Sequence, residues 1–287
     1  MKNSKFILIV FISIFGFWSC SDKTGMEEIP NTLDPSKFYQ KMDISYGADA
    51  DQKFDLYLPA NRTTNTKTVI LVHGGGWSSG DKSDMNYLKD FIRQDFPNLA
   101  IVNINYRLAD ENNSPYPMQI DDITSVINYL KENKTDYQIS STFGFIGVSA
   151  GAHLSMLWSY AFDNSNNIDM VASVVGPTNF TDPAYLNATN PELQAMLGFF
   201  GVNPTTAFLE EISPYHQATA SAPPTTLFYA ENDELVPATQ GPAMRDKLTS
   251  LSVTNEFKLY TGVGHALSPT VVLDIWVRLK VFMQAHL

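Results

Sequence analysis

The chain has 287 residues, of which 44% are hydrophobic and 17% are charged, and its formal net charge is −11 at pH 7. This composition is typical of a globular protein with a sizeable core, and it excludes a largely disordered chain. Beyond Lys2 and Lys5 the basic residues do not cluster, so the acidic chain is not expected to bind nucleic acid.

Residues 1–19 have the pattern of a secretion signal. Lys2 and Lys5 precede thirteen uncharged residues, 6–18, whereas a transmembrane helix needs roughly 20. A membrane-anchoring helix is therefore the less favoured alternative. Cys20, the single cysteine, follows this run at the place where bacterial lipoprotein signals carry the lipid-modified residue. We expect an exported protein: either a periplasmic or cell-surface lipoprotein that meets the membrane only through Cys20, or a secreted one.

Residues 20–37 are polar and are interpreted as a tether, and the folded domain is expected to span 38–287. Residues 42–46 and 54–58 alternate apolar and polar side chains around a turn, which predicts an antiparallel hairpin at the N-terminal edge of a sheet. Short apolar segments follow at 68–72, 100–105, 143–148, 170–175, 225–229 and 257–260. Apolar stripes at helical spacing lie between most of them, which predicts an α/β fold with a doubly wound, mostly parallel sheet.

The stretch from 177 to 213 interrupts this alternation of strands and helices. It combines several prolines with short apolar helical pieces and is longer than an ordinary connection. Insertions of this length in compact domains usually carry function. We interpret 177–213 as a small cap over a site, with a surface excursion as the alternative.

Residues 147–151 read Gly-Val-Ser-Ala-Gly and lie between an apolar strand and an apolar helix. In that context Gly-x-Ser-x-Gly is a nucleophile elbow, a sharp turn that holds the serine hydroxyl at the carboxyl edge of the sheet. The start of the following helix adds the positive end of its dipole. The motif predicts Ser149 as a nucleophile.

Residues 73–77 read His-Gly-Gly-Gly-Trp and follow another apolar strand. Without side chains in the way, the backbone N–H groups of Gly75 and Gly76 can converge with that of Ala150 on a developing oxyanion. A flexible glycine turn is the alternative. A phosphate-binding loop is not expected, because no Lys-Ser or Lys-Thr pair follows.

A serine hydroxyl needs a base to remove its proton. His265 follows the last predicted strand in a glycine-containing loop, at the edge where Ser149 emerges, and is the preferred base. His73 belongs to residues 73–77, the glycine loop, and His153 lies one turn after Ser149 on its helix. The two others precede a loop or stand next to the C-terminus: His216 and His286.

The base needs an acid that fixes its tautomer, at the end of the preceding strand. Glu231, Asp233 and Glu234 compete for this role, and Asp233, three residues before a Val-Pro pair, is preferred. The two glutamates are expected to face solvent or the start of the next helix. The order Ser149, Asp233, His265 is that of α/β-hydrolases and differs from other serine-triad folds.

These motifs resemble those of hormone-sensitive-lipase-type esterases, particularly the compact bacterial branch that includes acetyl-xylan and feruloyl esterases. The similarity covers 42–287 and is carried by Tyr46-Gly47, 55–59, 73–77, 105–109, 147–151, 233–237 and Gly264-His265. It implies the same triad and oxyanion residues, with 105–109 and Asp121-Asp122 bracing the glycine loop. A long hydrophobic N-terminal cap is missing, which disfavours long lipid substrates.

The sequence therefore predicts a serine esterase for short or aromatic acyl groups, on a small molecule or a glycan, with no metal or organic cofactor. Trp77, Phe199 and Phe200 are candidates for stacking on the substrate, with core packing as the alternative. A peptidase of the same fold and a catalytically silent surface-binding lipoprotein are the rival functions. The natural acyl and alcohol groups and the oligomeric state stay open.

Overall fold

The computed structural model describes residues 33–287. The predicted signal peptide, Cys20 and residues 20–32 of the tether lie outside the described residues. Within 33–287, an eight-stranded sheet has the strand order β1-β2-β4-β3-β5-β6-β7-β8. The strands are β1 Tyr39–Ser45, β2 Lys53–Leu58, β3 Thr68–Val72, β4 Ala100–Ile104, β5 Phe143–Val148, β6 Ile168–Val174, β7 Thr225–Ala230 and β8 Asn255–Tyr260.

The strands from β3 to β8 run parallel to one another, and β2 pairs antiparallel with both β1 and β4. The predicted mostly parallel sheet with an antiparallel hairpin at its N-terminal edge is confirmed. The carboxyl ends of parallel strands meet at one edge, where ligands of such sheets bind.

Strand β1 differs from its predicted pattern. The register shifts between Lys41 and Ile44, and Asp43 there has a φ of 54°. The resulting bulge breaks the alternation, so Met42 is 47% exposed while Ile44 is buried. A bulge on an edge strand leaves the main sheet unchanged.

Helices cover both faces of the sheet, as in a doubly wound fold. Among the described residues they are α1 Asn86–Asp95, α2 Pro115–Tyr137, α3 Ala150–Ala161, α4 Pro183–Leu186, α5 Pro191–Gly198, α6 Thr206–Glu211, α7 Pro214–Gln217, α8 Gln240–Ser250 and α9 Pro269–His286. One apolar core includes side chains from α2, α3 and α8, and a second includes side chains from α1 and α9. No helix of residues 33–287 combines the length and hydropathy needed to cross a membrane.

Candidate active site

Ser149 occupies a strained turn between β5 and α3. Its backbone has φ 52° and ψ −120°, a region that costs a non-glycine residue about 1–3 kcal/mol. The turn is fixed on both sides, because the Ser149 N–H donates to the Val174 carbonyl at 2.8 Å and its carbonyl accepts from the His153 N–H at 3.0 Å. The strained backbone thus holds the hydroxyl at the carboxyl edge of the sheet.

Two glycines allow α3 to pack tightly at this turn. A Cβ added to Gly151 would lie 2.2 Å from the carbonyl oxygens of Val72 and His73, and one added to Gly147 would lie 2.4 Å from the Gly151 carbonyl oxygen. Each obstacle is backbone, which cannot swing aside. Gly151 is therefore required by the contact between α3 and the strand that leads into the glycine loop, and Gly147 by the contact between β5 and the start of α3.

Three side chains from three strand ends form a hydrogen-bonded chain. His265 Nε2 lies 3.0 Å from Ser149 Oγ, and His265 Nδ1 lies 2.7 Å from Asp233 Oδ2. The Asp233 side chain is 1% exposed and that of His265 is 24% exposed. A carboxylate on Nδ1 leaves the Nε2 lone pair free to accept the serine proton.

The conformation of the loop after β7 determines which carboxylate contacts His265. Asp233 Oδ1 accepts hydrogen bonds from the backbone N–H groups of Leu235 at 2.9 Å and Val236 at 2.8 Å, which leaves Oδ2 for His265. Glu231 instead accepts from the Gly262 N–H at 3.0 Å and so links the two loops, while Glu234 is exposed. The structure thus brings Asp233, and neither glutamate, to His265.

The predicted oxyanion donors lie beside Ser149. Gly75 and Gly76 have φ of 107° and 57°, and both line the cavity that contains Ser149. A Cβ added to Gly74 would lie 3.2 Å from the Ser149 Cβ, so the loop packs directly against the serine. The N–H groups of Gly75, Gly76 and Ala150 donate no hydrogen bond to any residue in the described part of the chain, which leaves them for a ligand oxygen.

Tyr106 and Gln119 hold the glycine loop in place through hydrogen bonds to its carbonyl oxygens. The Tyr106 hydroxyl lies 3.0 Å from the His73 carbonyl oxygen and 3.1 Å from that of Gly74, and its ring stacks on His73. Gln119 Nε2 donates to the Trp77 carbonyl at 2.6 Å. Gln119 is a contributor that sequence reasoning missed, since one glutamine in a helix gives no signal of its target.

Arg107 and Asp122, for which the resemblance implied a bracing role, pair with each other and so join the loop after β4 to α2. Arg107 Nη2 lies 2.6 Å from Asp122 Oδ1, and the Arg107 N–H donates to Asp122 Oδ2 at 2.8 Å. Asp122 is fully buried and also accepts from Gln52 Nε2 at 2.8 Å. Asp121, by contrast, is exposed and its side chain takes no part.

Three of the four remaining histidines lie in other surroundings. His73 is buried with Nδ1 2.7 Å from the Gly74 carbonyl, and burial lowers its pKa below the usual value. His153 is also buried, and burial lowers its pKa to about 4. His216 Nε2 lies 2.9 Å from Thr181 Oγ1 in an exposed contact. None of these three histidines forms a hydrogen bond with the Ser149 hydroxyl.

A cavity of about 650 Å³ opens over Ser149 and His265. Helix α5, inside the 177–213 stretch, forms one wall, and the segment from Ser78 to Tyr87 forms another. Several lining residues were not anticipated, because nothing in a single sequence aligns an insertion with a distant loop: Ser78, Ser79, Asp84, Tyr87, Glu192, Met196 and Leu235.

Two of the three aromatic candidates for substrate contact are corrected. Trp77 is 1% exposed and packs against Phe180 and Phe200, and Phe200 is itself buried. Neither ring lines the cavity over Ser149, because both rings are buried in the aromatic cluster that the 177–213 stretch forms. Phe199 does line the cavity.

Among residues 33–287, no group of three or more His, Cys, Asp and Glu is arranged to hold a metal ion.

The fold and the hydrogen-bonded triad of Ser149, His265 and Asp233 at the strand ends define an α/β-hydrolase. A model of the BD-FAE family matches residues 54–248. The chain belongs to the BD-FAE family.

Proteins of similar sequence include a carboxylesterase and a kynurenine formamidase. The chain is 25% identical to carboxylesterase NlhH of Mycobacterium tuberculosis over 244 residues, 79% of this chain and 74% of that protein. It is 27% identical to kynurenine formamidase of Scheffersomyces stipitis over 171 residues, 56% of this chain and 55% of that protein. The protein is an enzyme of the carboxylic-ester hydrolase class.

A solved structure with the same fold is a truncated carbohydrate esterase from gut microbiota. The TM-score is 0.70 at 18% sequence identity, and the match covers 87% of this chain and 98% of that one. At this identity the likeness is one of fold.

Proposed function

We propose that the protein hydrolyses carboxylic esters through a covalent acyl-enzyme on Ser149. His265 Nε2 takes the hydroxyl proton while Ser149 Oγ bonds to the ester carbonyl carbon and the carbonyl electron pair moves to its oxygen. The observation that carries this proposal is the chain of two hydrogen bonds, 3.0 Å from Ser149 to His265 and 2.7 Å from His265 to Asp233. Asp233 accepts the hydrogen bond from Nδ1–H and stabilises the imidazolium that forms.

The tetrahedral intermediate then collapses. The bond from carbon to the alkoxy oxygen breaks, and the leaving alcohol takes the proton from His265 Nε2. Water next attacks the acyl carbon and gives one proton to His265, which returns it to Ser149 Oγ as the carboxylic acid leaves. The free N–H groups of Gly75, Gly76 and Ala150 would hold the oxyanion in both halves, each typically worth about 2.7–4 kcal/mol.

The substrate proposed here is an ester of a short or aromatic acid, with a carbohydrate as the alcohol. The size of the cavity, about 650 Å³, and the apolar side chains of Met196, Phe199 and Leu235 support a compact acyl group. Hydroxyls of Ser78 and Ser79 and the carboxylates of Asp84 and Glu192 line the same cavity and can bond sugar hydroxyls. No Lys or Arg is among the described lining residues, which disfavours an anionic substrate.

A substrate panel tests this proposal. It contains nitrophenyl acetate, butyrate and palmitate, acetylated xylan, a feruloylated arabino-oligosaccharide, an aryl formamide and a peptide anilide. We expect the acetyl or feruloyl esters to have the highest kcat/KM. Faster palmitate hydrolysis, with activation at a lipid interface, contradicts the substrate class, and faster formamide or peptide cleavage contradicts the ester preference.

Ser149→Ala is the control for the nucleophile, and Ser155→Ala is its matched partner. Ser155 is a buried serine on the same helix whose hydroxyl donates to the Gly151 carbonyl at 2.7 Å. Turnover should vanish in the first variant and persist in the second. Equal turnover in Ser149→Ala and the wild type contradicts the mechanism whatever the substrate.

We further propose that the protein is exported and carries lipid on Cys20, on the strength of the pattern in residues 1–20. Cys20→Ser should move the protein from the membrane fraction to the soluble fraction at unchanged specific activity. Wild-type protein recovered wholly in the soluble fraction supports ordinary secretion instead.

A further inference from the structure

His153 lies where three parts of the active-site wall meet. It is on α3, one turn after Ser149, and its ring contacts Trp77 of the glycine loop and Ile212 at the end of the inserted stretch. Trp77 Nε1 donates to His153 Nδ1 at 3.1 Å, and His153 Nε2 lies 2.8 Å from the Ile212 carbonyl oxygen. All three residues are buried.

The two hydrogen bonds define the state of the ring. An indole N–H can only donate and a carbonyl oxygen can only accept, so Nδ1 carries a lone pair and Nε2 carries the hydrogen. The ring is therefore neutral, in agreement with a pKa lowered by burial to about 4. A protonated ring would lose the bond from Trp77, since Nδ1 would then be a second donor.

Trp77 needs this support because its backbone is strained. Its φ is 64°, a conformation that is an outlier for a bulky side chain and costs about 1–3 kcal/mol. The carbonyl accepts from the Ala109 N–H at 2.9 Å and from Gln119 Nε2 at 2.6 Å. The bond to His153 holds the side chain, so Trp77, the residue directly after Gly76, is fixed both at its carbonyl and at its indole ring.

Aromatic packing completes the junction. Phe180 and Phe200, both from the inserted stretch, contact the rings of His153 and Trp77 with centroid separations of 4.9–6.2 Å. The inserted stretch thus packs on the same two side chains that hold the glycine loop. Trp77 directly follows Gly76, whose N–H is a proposed oxyanion donor.

We propose that His153 is a positioning residue, which acts through Trp77 to hold the Gly76 N–H in place for the oxyanion and ties the glycine loop to the inserted stretch at Ile212. This inference rests on the proposed acyl-enzyme mechanism. It differs from a purely structural role because it predicts a loss in the transition state beyond the loss in stability.

Trp77→Phe and His153→Leu test the hydrogen bond from each side. Trp158→Phe is the matched control, since Trp158 lies on the same helix, is buried, and donates its indole N–H to Thr124 Oγ1 at 2.9 Å, away from the glycine loop. Each variant is titrated with a fluorophosphonate to count active sites, and kcat, KM and the inhibition constant of a trifluoromethyl ketone are then measured per site.

Removing an oxyanion donor outright costs about 10²–10³ in kcat, so a displaced donor should cost roughly tenfold or more. We expect that loss in Trp77→Phe and His153→Leu, with KM changed less than about threefold and ketone affinity reduced in parallel with kcat. Trp158→Phe should lose stability alone. A kcat per site in Trp77→Phe equal to that of Trp158→Phe overturns the proposal.

His153→Asn and His153→Gln separate the two hydrogen bonds. The Asn Oδ1 takes the position of Nδ1 and can accept from Trp77, whereas the Gln Nε2 takes the position of Nε2 and can donate to Ile212. We expect kcat per site to be higher in the Asn variant, and the reverse order contradicts positioning through Trp77. Failure of the mechanism itself is recognised separately, because Ser149→Ala would then still turn over.

Discussion

His265 Nε2 lies 3.0 Å from Ser149 Oγ although 116 residues separate them in the chain. Their strands, β5 and β8, run parallel within one sheet, so both loops leave it at the same edge. Asp233 follows β7, the neighbour of β8, and reaches the far side of the imidazole. The proposed catalytic chain is thus a consequence of strand direction and order.

Asp233→Asn should lower kcat by about 10⁴, because an asparagine in this position favours the wrong tautomer of His265. Glu231→Gln and Glu234→Gln are the controls and should change kcat by less than about threefold, since neither side chain bonds His265. Steady-state kinetics on nitrophenyl acetate provides the measurement. A comparable loss at Glu231 would assign the acid differently.

Gly151→Ala should prevent stable folding or cost several kcal/mol, because its Cβ would lie 2.2 Å from two backbone carbonyl oxygens. Gly198→Ala is the matched control, with no atom within 4 Å of the added Cβ, and should be neutral or slightly stabilising within the helix. Urea unfolding measures both changes. Equal midpoints for the two variants would contradict the close approach of α3 to the glycine loop.

Arg107→Met should destabilise the protein by about 3 kcal/mol, since it leaves the fully buried Asp122 without its cation. Arg278→Met removes an exposed pair with Asp274 and should cost less than about 1 kcal/mol. Denaturant unfolding at pH 7 compares them. Losses of the same size would mean that Asp122 does not depend on Arg107.

The pH dependence of stability should include a contribution from His153. Its pKa is about 4 in the folded protein and 6.5 in the reference state, so the unfolded chain binds more protons between these values. The stability linked to the neutral ring is complete above pH 6.5 and is lost as pH falls toward 4, at up to about 1.4 kcal/mol per pH unit.

The His153→Leu variant lacks this titration. The amount by which its unfolding free energy lies below that of the wild type should therefore decrease as pH falls from 6.5 to 4. Unfolding free energies of the two proteins across that range provide the test. If the unfolding free energies of the two proteins changed in parallel with pH, His153 would have the same pKa in the folded and unfolded states.

Much of the fold was predictable because the sequence signals are local. The apolar run 143–148 matches β5 in both bounds, and the glycines around Ser149 predicted the turn correctly. The bulge at Asp43 was not predictable, since it depends on the Asp43 N–H reaching the Asp55 carboxylate at 2.9 Å across the hairpin. Period-2 alternation alone predicted Met42 on the buried face.

The assignments of Trp77 and Phe200 as substrate contacts failed for a related reason. Trp77 is the last residue of the glycine loop, and that position suggested a substrate contact. Its burial depends on Phe180 and Phe200, which come from an insertion whose path a single sequence does not reveal. The role inferred for His153 depends equally on Ile212, 59 residues away.

The central claim, that Ser149 carries the acyl group, is tested most directly by trapping it. The wild-type enzyme is mixed with nitrophenyl acetate, quenched in acid within the first turnover and digested for mass spectrometry. We predict an acetyl adduct on the peptide that contains Ser149, formed with a stoichiometric burst of nitrophenol and missing from Ser149→Ala. An adduct on any other residue, or a burst that persists in Ser149→Ala, would contradict the mechanism.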